Sequence, residues 1–299
     1  MRDSAITQIR PDLFRVTLPQ DIPGFGAFIG AFVRTGEPSF LVDPGPASSI
    51  DALLSALAEL SVPRLDFVLL THIHVDHAGG SGHLLARLGK TPVVCHPLGI
   101  RHMAEPEKLW KGTVATLGAT GLAYGPPMPV PAECLVSAEG FNEAGIEAIP
   151  TPGHAAHHVS YAFSDLLFAG EAAGMYTAFP DGQIFIRPAT PPPFHFETYA
   201  ESLERILPRS GGTVLYGHYG FRANARDLFL AHREQIFLWR SIIAEVKAQA
   251  PPENLVPASL ERLLAQDPLM APWDRFSEEV KSRELIFLNN SVKGFAGSP

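Results

Sequence analysis

Cysteine is scarce: the chain of 299 residues holds two, Cys95 and Cys134. Two distant thiols cannot build the disulfide framework that small secreted domains use in place of a large core. They read as reduced, buried thiols, and neither lies in a Cys-x-x-Cys pair. No apolar run approaches the roughly 20 residues of a membrane-spanning helix, and the opening MRDSAITQIRPDLFRV carries no apolar targeting core. Charge of one sign is nowhere concentrated. The net charge of −8, from 23 basic and 31 acidic residues, disfavours a nucleic-acid surface. The expectation from these absences is a cytoplasmic protein with a small-molecule partner and neither nucleic acid nor membrane as partner. At 46% hydrophobic residues, the chain has ample material for a core.

Two β-rich stretches organise the sequence. LFRVTLP (13–19), AFIGAFVR (27–34) and SFLVDPG (39–45) are short β-like runs broken by Pro and Gly, which predicts an antiparallel meander. The spacing in SSIDALLSALAEL (48–60) predicts a helix opened by a serine cap. LDFVLLT (65–71) is continuously apolar, as expected of a strand buried on both faces. GHLLARLG (82–89) reads as a helix and TPVVCH (91–96) as a strand. From residue 134 a second β-rich series follows, with an Asp181-Gly182 hairpin turn in FPDGQIFI. A rigid PATPPP loop (188–193), an amphipathic helix at 197–209 and a strand at 213–220 come next. From about residue 226 the pattern is helical. Two sheets packed together with helices outside are the predicted architecture.

The chemistry concentrates in LLTHIHVDHAGG (69–80), where three histidines and one aspartate occupy six positions at the end of the apolar run. In extended backbone, residues i and i+2 project to one side, so His72 and His74 can grip one ion. If the chain turns through Ala78-Gly79-Gly80, Asp76 and His77 can face a second. Imidazole and carboxylate ligands suit zinc and also accept iron or manganese. Further ligands are available at other strand ends beside glycines: His154 in TPGH, Glu171 in FAGE and His218 in YGHYG. Asp43 in LVDPG shares that context and reads either as support for a ligand histidine or as a turn-forming aspartate. Other nucleophile schemes fail: Ser81 lies in GGSGH, which is not Gly-x-Ser-x-Gly, and Gly89-Lys90-Thr91 lacks the earlier glycine of a phosphate loop.

Taken in order, LVDPG, THIHVDH, TPGH, FAGE and YGHYG resemble the motifs of the metallo-β-lactamase-fold hydrolase superfamily, over about residues 40 to 220. The resemblance implies an α/β fold, a four-layer αββα sandwich of two mixed sheets. It spans a domain at 1–225, to which residues 226–299 would add a C-terminal helical extension. It implies two divalent metal ions, zinc foremost, with His72, His74 and His154 on the first and Asp76, His77 and His218 on the second. Glu171 stands where the family usually has a bridging aspartate; it either bridges on its longer arm or binds one ion. A metal-bound hydroxide would attack an ester, thioester, lactone or related bond, with Asp76 orienting the nucleophile and Tyr219 a candidate oxyanion donor. His158 reads as structural or supporting, while His83, His157 and His195 read as solvent-facing or packing residues. The glyoxalase II-like branch shares the THxHxDH and TPGH motifs. Two rival readings stand: a single-iron oxygenase of the persulfide-dioxygenase kind, and a non-enzymatic metal-binding protein.

Two stretches fall outside the motifs. The segment 96–110 offers His96, Arg101, His102 and Trp110 as substrate contacts or as a helix packed on the body. The helical tail carries Leu228, Phe229, Ile236, Phe237, Trp239, Ile242 and Ile243, which need burial on the body or in a homodimer interface.

Overall fold

The computed structural model describes residues 5–298. The chain divides into two compact units, Met1–Ala148 and Ile149–Pro299, the second of which contains all of residues 226–299.

The first unit is built on a seven-stranded mixed sheet whose strand order follows the chain. β1 (Ile6–Arg10), β2 (Leu13–Leu18), β3 (Ile29–Arg34) and β4 (Phe40–Val42) form the expected antiparallel meander. β1 is additional to the predicted strands, because ITQIR alone holds too few apolar residues to signal one. β5 (Phe67–Leu69), β6 (Val93–Cys95) and β7 (Leu135–Ser137) join in parallel. Parallel neighbours require crossovers. These are α1 (Ile50–Glu59), then α2 (Val75–Ala78) with α3 (Ser81–Leu88), then α4 (Pro97–Ala104), α5 (Glu107–Leu117) and α6 (Ala119–Tyr124). Val68, Leu69, Val93 and Val94 have no exposed surface, as central parallel strands require.

Local chemistry differs from expectation at two helix starts. α1 is entered through a short 3-10 turn and receives no serine cap; Ser49 Oγ accepts from the Gln20 amide instead. At α4 the cap is His96, whose Nδ1 accepts the Leu98 N–H at 3.1 Å. Arg101 is exposed and pairs with Glu105 at 3.5 Å. Within 96–110, then, His96 and Arg101 have local structural partners; further along the chain α5 and α6 pack against α2.

The chain crosses between the units in β9. A six-stranded sheet runs in the order β15-β14-β11-β10-β9-β8. Its strands are β8 (Asn142–Glu143), β9 (Ile146–Pro150), β10 (Val159–Phe163), β11 (Leu166–Gly170), β14 (Thr213–Tyr216) and β15 (Phe221–Ala223). β11 and β14 are parallel, and β10–β11 and β14–β15 antiparallel. The predicted hairpin is present as β12 (Met175–Ala178) and β13 (Ile184–Arg187), turning at Asp181-Gly182. Among the described residues four α-helices complete the second unit: α7 (Phe196–Ile206), α8 (Arg226–Gln249), α9 (Leu255–Gln266) and α10 (Glu278–Gly297). Six of the seven large apolar residues singled out on α8 are buried within the chain, Trp239 completely; Phe237 stays 49% exposed, its ring 5.0 Å from that of Phe196. Among the described residues no helix is long and apolar enough to cross a membrane.

A polar network runs through this apolar core. Gln235 Oε1 can only accept, so the 2.7 Å contact from His232 Nδ1 places a proton there. His232 Nε2 then accepts from the Tyr199 hydroxyl at 3.0 Å. Gln235 Nε2 and Trp239 Nε1 both donate to Asp267 Oδ2, at 2.6 and 2.7 Å. Burial lowers His232 from 6.5 to about 4, against a raising contribution from Gln235. Between those values the unfolded chain binds the proton and the folded protein does not. Stability is therefore expected to fall as pH drops from 6.5 toward 4, by up to about 3 kcal/mol from this residue. In urea unfolding of chelator-treated protein, the stability advantage of wild type over His232→Gln should shrink across that window. A constant difference would show that His232 is not held neutral.

Candidate metal centre

The first cluster forms where β5 ends. The chain leaves the sheet at Leu70, and it turns at His74 rather than after Ala78. His77 and Ala78 donate backbone N–H groups to the His74 carbonyl at 3.0 and 2.9 Å, so the last half of the motif is the short helix α2. That turn folds Asp76 and His77 back toward the preceding histidines. The His72 ring centroid lies 4.6 Å from that of His74 and 4.1 Å from that of His77. His77 Nε2 is 4.0 Å from Asp76 Oδ2. His72 and His77 are buried; His74 and Asp76 are half-buried and reach solvent.

Asp43 organises this cluster. It sits in the left-handed region at φ 53°, a conformation that an aspartate tolerates better than most residues. Its Oδ1 accepts the Thr71 N–H at 2.8 Å. Its Oδ2 accepts the Thr71 hydroxyl at 2.7 Å and His77 Nδ1 at 2.9 Å. Because the Thr71 proton is committed to Asp43, the 3.0 Å contact between Thr71 Oγ1 and His72 Nδ1 has the ring nitrogen as donor. One buried carboxylate thus sets the Nδ1–H tautomer of His77 directly and of His72 through a hydroxyl.

The second cluster collects three loop residues of the other unit. β11 and β14 run parallel, so their C-terminal ends emerge side by side. A register shift between Phe168 and Gly170, with the Gly217 N–H donating to the Gly170 carbonyl at 2.6 Å, draws the following residues together. A Cβ on Gly217 would press on Glu171 Cγ and the Gly170 backbone at 3.0 Å, so this approach favours glycine. His218 follows at φ 65°, again left-handed. Glu171 then has one carboxylate oxygen on each histidine: Oε2 is 2.8 Å from His154 Nε2 and Oε1 is 3.4 Å from His218 Nε2. All three residues are buried.

The tautomers of His154 and of the neighbouring His158 are also determined. His154 Nδ1 contacts the Ala189 carbonyl at 3.0 Å, an acceptor only, and so carries a proton. His158 Nε2 accepts the Glu171 N–H at 3.0 Å, which puts the His158 proton on Nδ1, facing Thr151 Oγ1 at 2.8 Å. The Thr151 hydroxyl continues to Ser160, and Ser160 to the Ala169 carbonyl. His158 is thereby a neutral strut under the Glu171 backbone.

These donor sets fit metal ions. A neutral His154 with its proton on Nδ1 aims a lone pair at Glu171 Oε2, an acceptor facing an acceptor at 2.8 Å. Only a cation between them makes that contact favourable. Burial alone would raise the Glu171 carboxyl, but charge on His154 and hydrogen bonds from His154 and His218 hold it well below the usual range. A divalent ion supplies positive charge at that point without protonating the ligands. Nitrogen and carboxylate donors whose outer nitrogens are tied to carbonyl or carboxylate oxygens are the pattern of divalent-metal sites. The ligand atoms of His72 and His74, of Asp76 and His77, and of His154 and Glu171 lie within 4.8 Å of one another, pair by pair.

Of the remaining residues considered, Tyr219 is half-buried, with its N–H donating to the Gly217 carbonyl at 2.9 Å. His195 is exposed, and His83 and His157 are half-buried. Sequence reasoning passed over Thr71, Thr151 and Ala189. Thr71 had a usable signal, its place inside THIHVDH. Ala189 had none, because it acts through its backbone.

Comparison with known proteins agrees with this geometry. The family model described as the metallo-beta-lactamase superfamily matches residues 31–218. The metallo-beta-lactamase fold-containing protein ST1585 of Sulfurisphaera tokodaii is 29% identical over 215 residues, covering 68% of this chain and 77% of that protein. A hydroxyacylglutathione hydrolase of Cupriavidus taiwanensis is 29% identical over 214 residues, covering 69% and 68% of the two chains. Among solved structures, the archaeal superfamily protein ST1585 superposes with a TM-score of 0.67 over 99% of this chain and 98% of that one at 23% identity. A metallo-beta-lactamase family protein of Thermus thermophilus gives 0.63 over 96% and 93% at 22% identity. With its mixed sheets, its C-terminal helices and its His/Asp/Glu clusters able to bind metal ions, the chain belongs to the metallo-beta-lactamase superfamily.

Proposed function

We propose that the protein is a metal-dependent hydrolase of a small acyl substrate, cleaving an ester, thioester or lactone, and that the two clusters together hold two divalent ions, zinc foremost. In this reading His72, His74 and His154 serve the first ion and Asp76, His77 and His218 the second. The observation that carries it is the Glu171 carboxylate, which presents one oxygen to His154 and the other to His218. A carboxylate so placed is suited to bridge two ions. Bound metal would supply an acidified water near neutral pH and polarise the bond under attack. The protein's own residues do the positioning. Asp43 keeps the inner nitrogens of His72 and His77 unprotonated. Asp76, half-buried on α2, is placed to orient a water while serving as a ligand. Tyr219 is the donor proposed for the developing oxyanion. The named hydroxyacylglutathione hydrolases among the relatives put thioesters first among the substrates to try.

The test is elemental analysis and a panel of esters, thioesters, lactones and phosphoesters on one preparation. Two zinc per chain with turnover supports the proposal. One iron with oxygen uptake on a persulfide supports an oxygenase instead, and metal without turnover across the panel supports a binding protein. Glu171→Gln keeps the reach of the side chain but removes its charge. It is expected to lower metal content from two ions per chain to one at most, read by equilibrium dialysis and elemental analysis. Full occupancy in that variant would remove Glu171 from the ligand set.

A further inference from the structure

The proline-rich loop and the last helix, left without a role by the reading above, lie along each other in register. β13 ends at Arg187, and the chain then runs as a strap to Phe196. α10 accompanies it. Arg187 Nε donates to Glu284, which Arg283 also grips at 2.8 Å, and all three side chains are buried. Burial alone would raise the Glu284 carboxyl, but the two guanidinium charges hold it below its usual range. Two turns along, the Ser291 hydroxyl donates to the Pro188 carbonyl at 3.0 Å and accepts the Thr190 N–H at 3.4 Å. At Gly294 the strap comes so near that a Cβ would overlap the Thr190 carbonyl oxygen. The Phe295 ring packs on Phe194 at 4.9 Å, and the Ser298 hydroxyl accepts the Phe196 N–H at 3.0 Å. Contact after contact, the strap follows the helix.

The residue bracketed by the two Ser291 bonds is Ala189, whose carbonyl accepts His154 Nδ1 at 3.0 Å. We propose that α10 is a positioning element for His154. Ser291 fixes the peptide units on either side of Ala189, and the Ala189 carbonyl fixes the tautomer and angle of the imidazole. Partners of this kind typically change metal affinity 10- to 100-fold when removed. The C-terminal helix would then act in metal retention as well as in the core. The inference rests on His154 being a metal ligand.

The test uses the full-length protein loaded with zinc or cobalt(II). Ser291→Ala, one step further out than such a direct partner, is expected to lower metal affinity by up to about 10-fold and to shift the visible ligand-field absorption of the cobalt form. Leu263→Ala, a change at a completely buried position on α9 that removes no hydrogen bond, should lower Tm at least as much while leaving affinity and spectrum as in wild type. Should the alanine variant fail to accumulate, Ser291→Cys, similar in size and weak in hydrogen bonding, takes its place against the same control. If the Ser291 variant binds metal with wild-type affinity and spectrum while His154→Ala does not, the role of α10 is overturned and the metal reading stands. If His154→Ala itself retains metal at wild-type affinity, the underlying reading fails.

Discussion

Replacing His72 and His74 together by alanine is expected to reduce hydrolysis of whichever substrate the panel identifies by at least about 1,000-fold. The size follows from what metal contributes: it brings the pKa of water from 15.7 to about 7, and neutral solution has no comparable source of hydroxide. His72 is 1% exposed and ordered through Thr71, while His74 reaches solvent. The pair therefore joins one rigidly held imidazole to one that meets solvent. Metal content should fall in step with kcat/KM, and circular dichroism should show the fold retained. Unchanged hydrolysis in the double variant would refute the proposed function outright.

Asn in place of Asp43 is expected to cost about 3 kcal/mol or more of stability and to weaken metal binding roughly 10- to 100-fold. The substitution keeps side-chain size, and Asn tolerates the left-handed backbone found here at φ 53°. What changes is acceptor capacity. The carboxylate receives three protons, from the Thr71 N–H, the Thr71 hydroxyl and His77 Nδ1. An amide must turn its NH2 toward one side of that set, donor against donor. If it faces Oδ2's partners, the Thr71 hydroxyl rotates and the Nδ1 proton of His72 loses its acceptor. A urea midpoint and a zinc-competition titration on Asp43→Asn measure the two effects. Wild-type values in both would show that Asp43 is only a turn residue.

How much of this was legible beforehand follows from the range over which each cue acts. Apolar periodicity is local, so β2 through β6, α1, α3 and the Asp181-Gly182 hairpin could be read along the chain. The clustering of four ligand-type residues in His72–His77 is likewise a property of consecutive positions. Helix starts depend on partners beyond the local sequence. A serine before α1 is a fair cap by local rules, yet Gln20, far away in sequence, takes the Ser49 hydroxyl. The turn within the motif also came at His74 and not at the glycines, because hydrogen bonds to one carbonyl made α2 the better path.

By itself, then, the sequence determined the residue types able to bind metal, the strand ends that carry them and the α/β character of the chain. The tertiary structure alone decided how the imidazoles of His72, His77 and His154 are protonated and aimed. That depends on partners such as the Ala189 carbonyl, the Thr71 hydroxyl and the Ser291 bridge. The physical reason is direction. A hydrophobic pattern records which side of an element is buried, but a hydrogen bond depends on the distance and angle between two groups that only folding brings together.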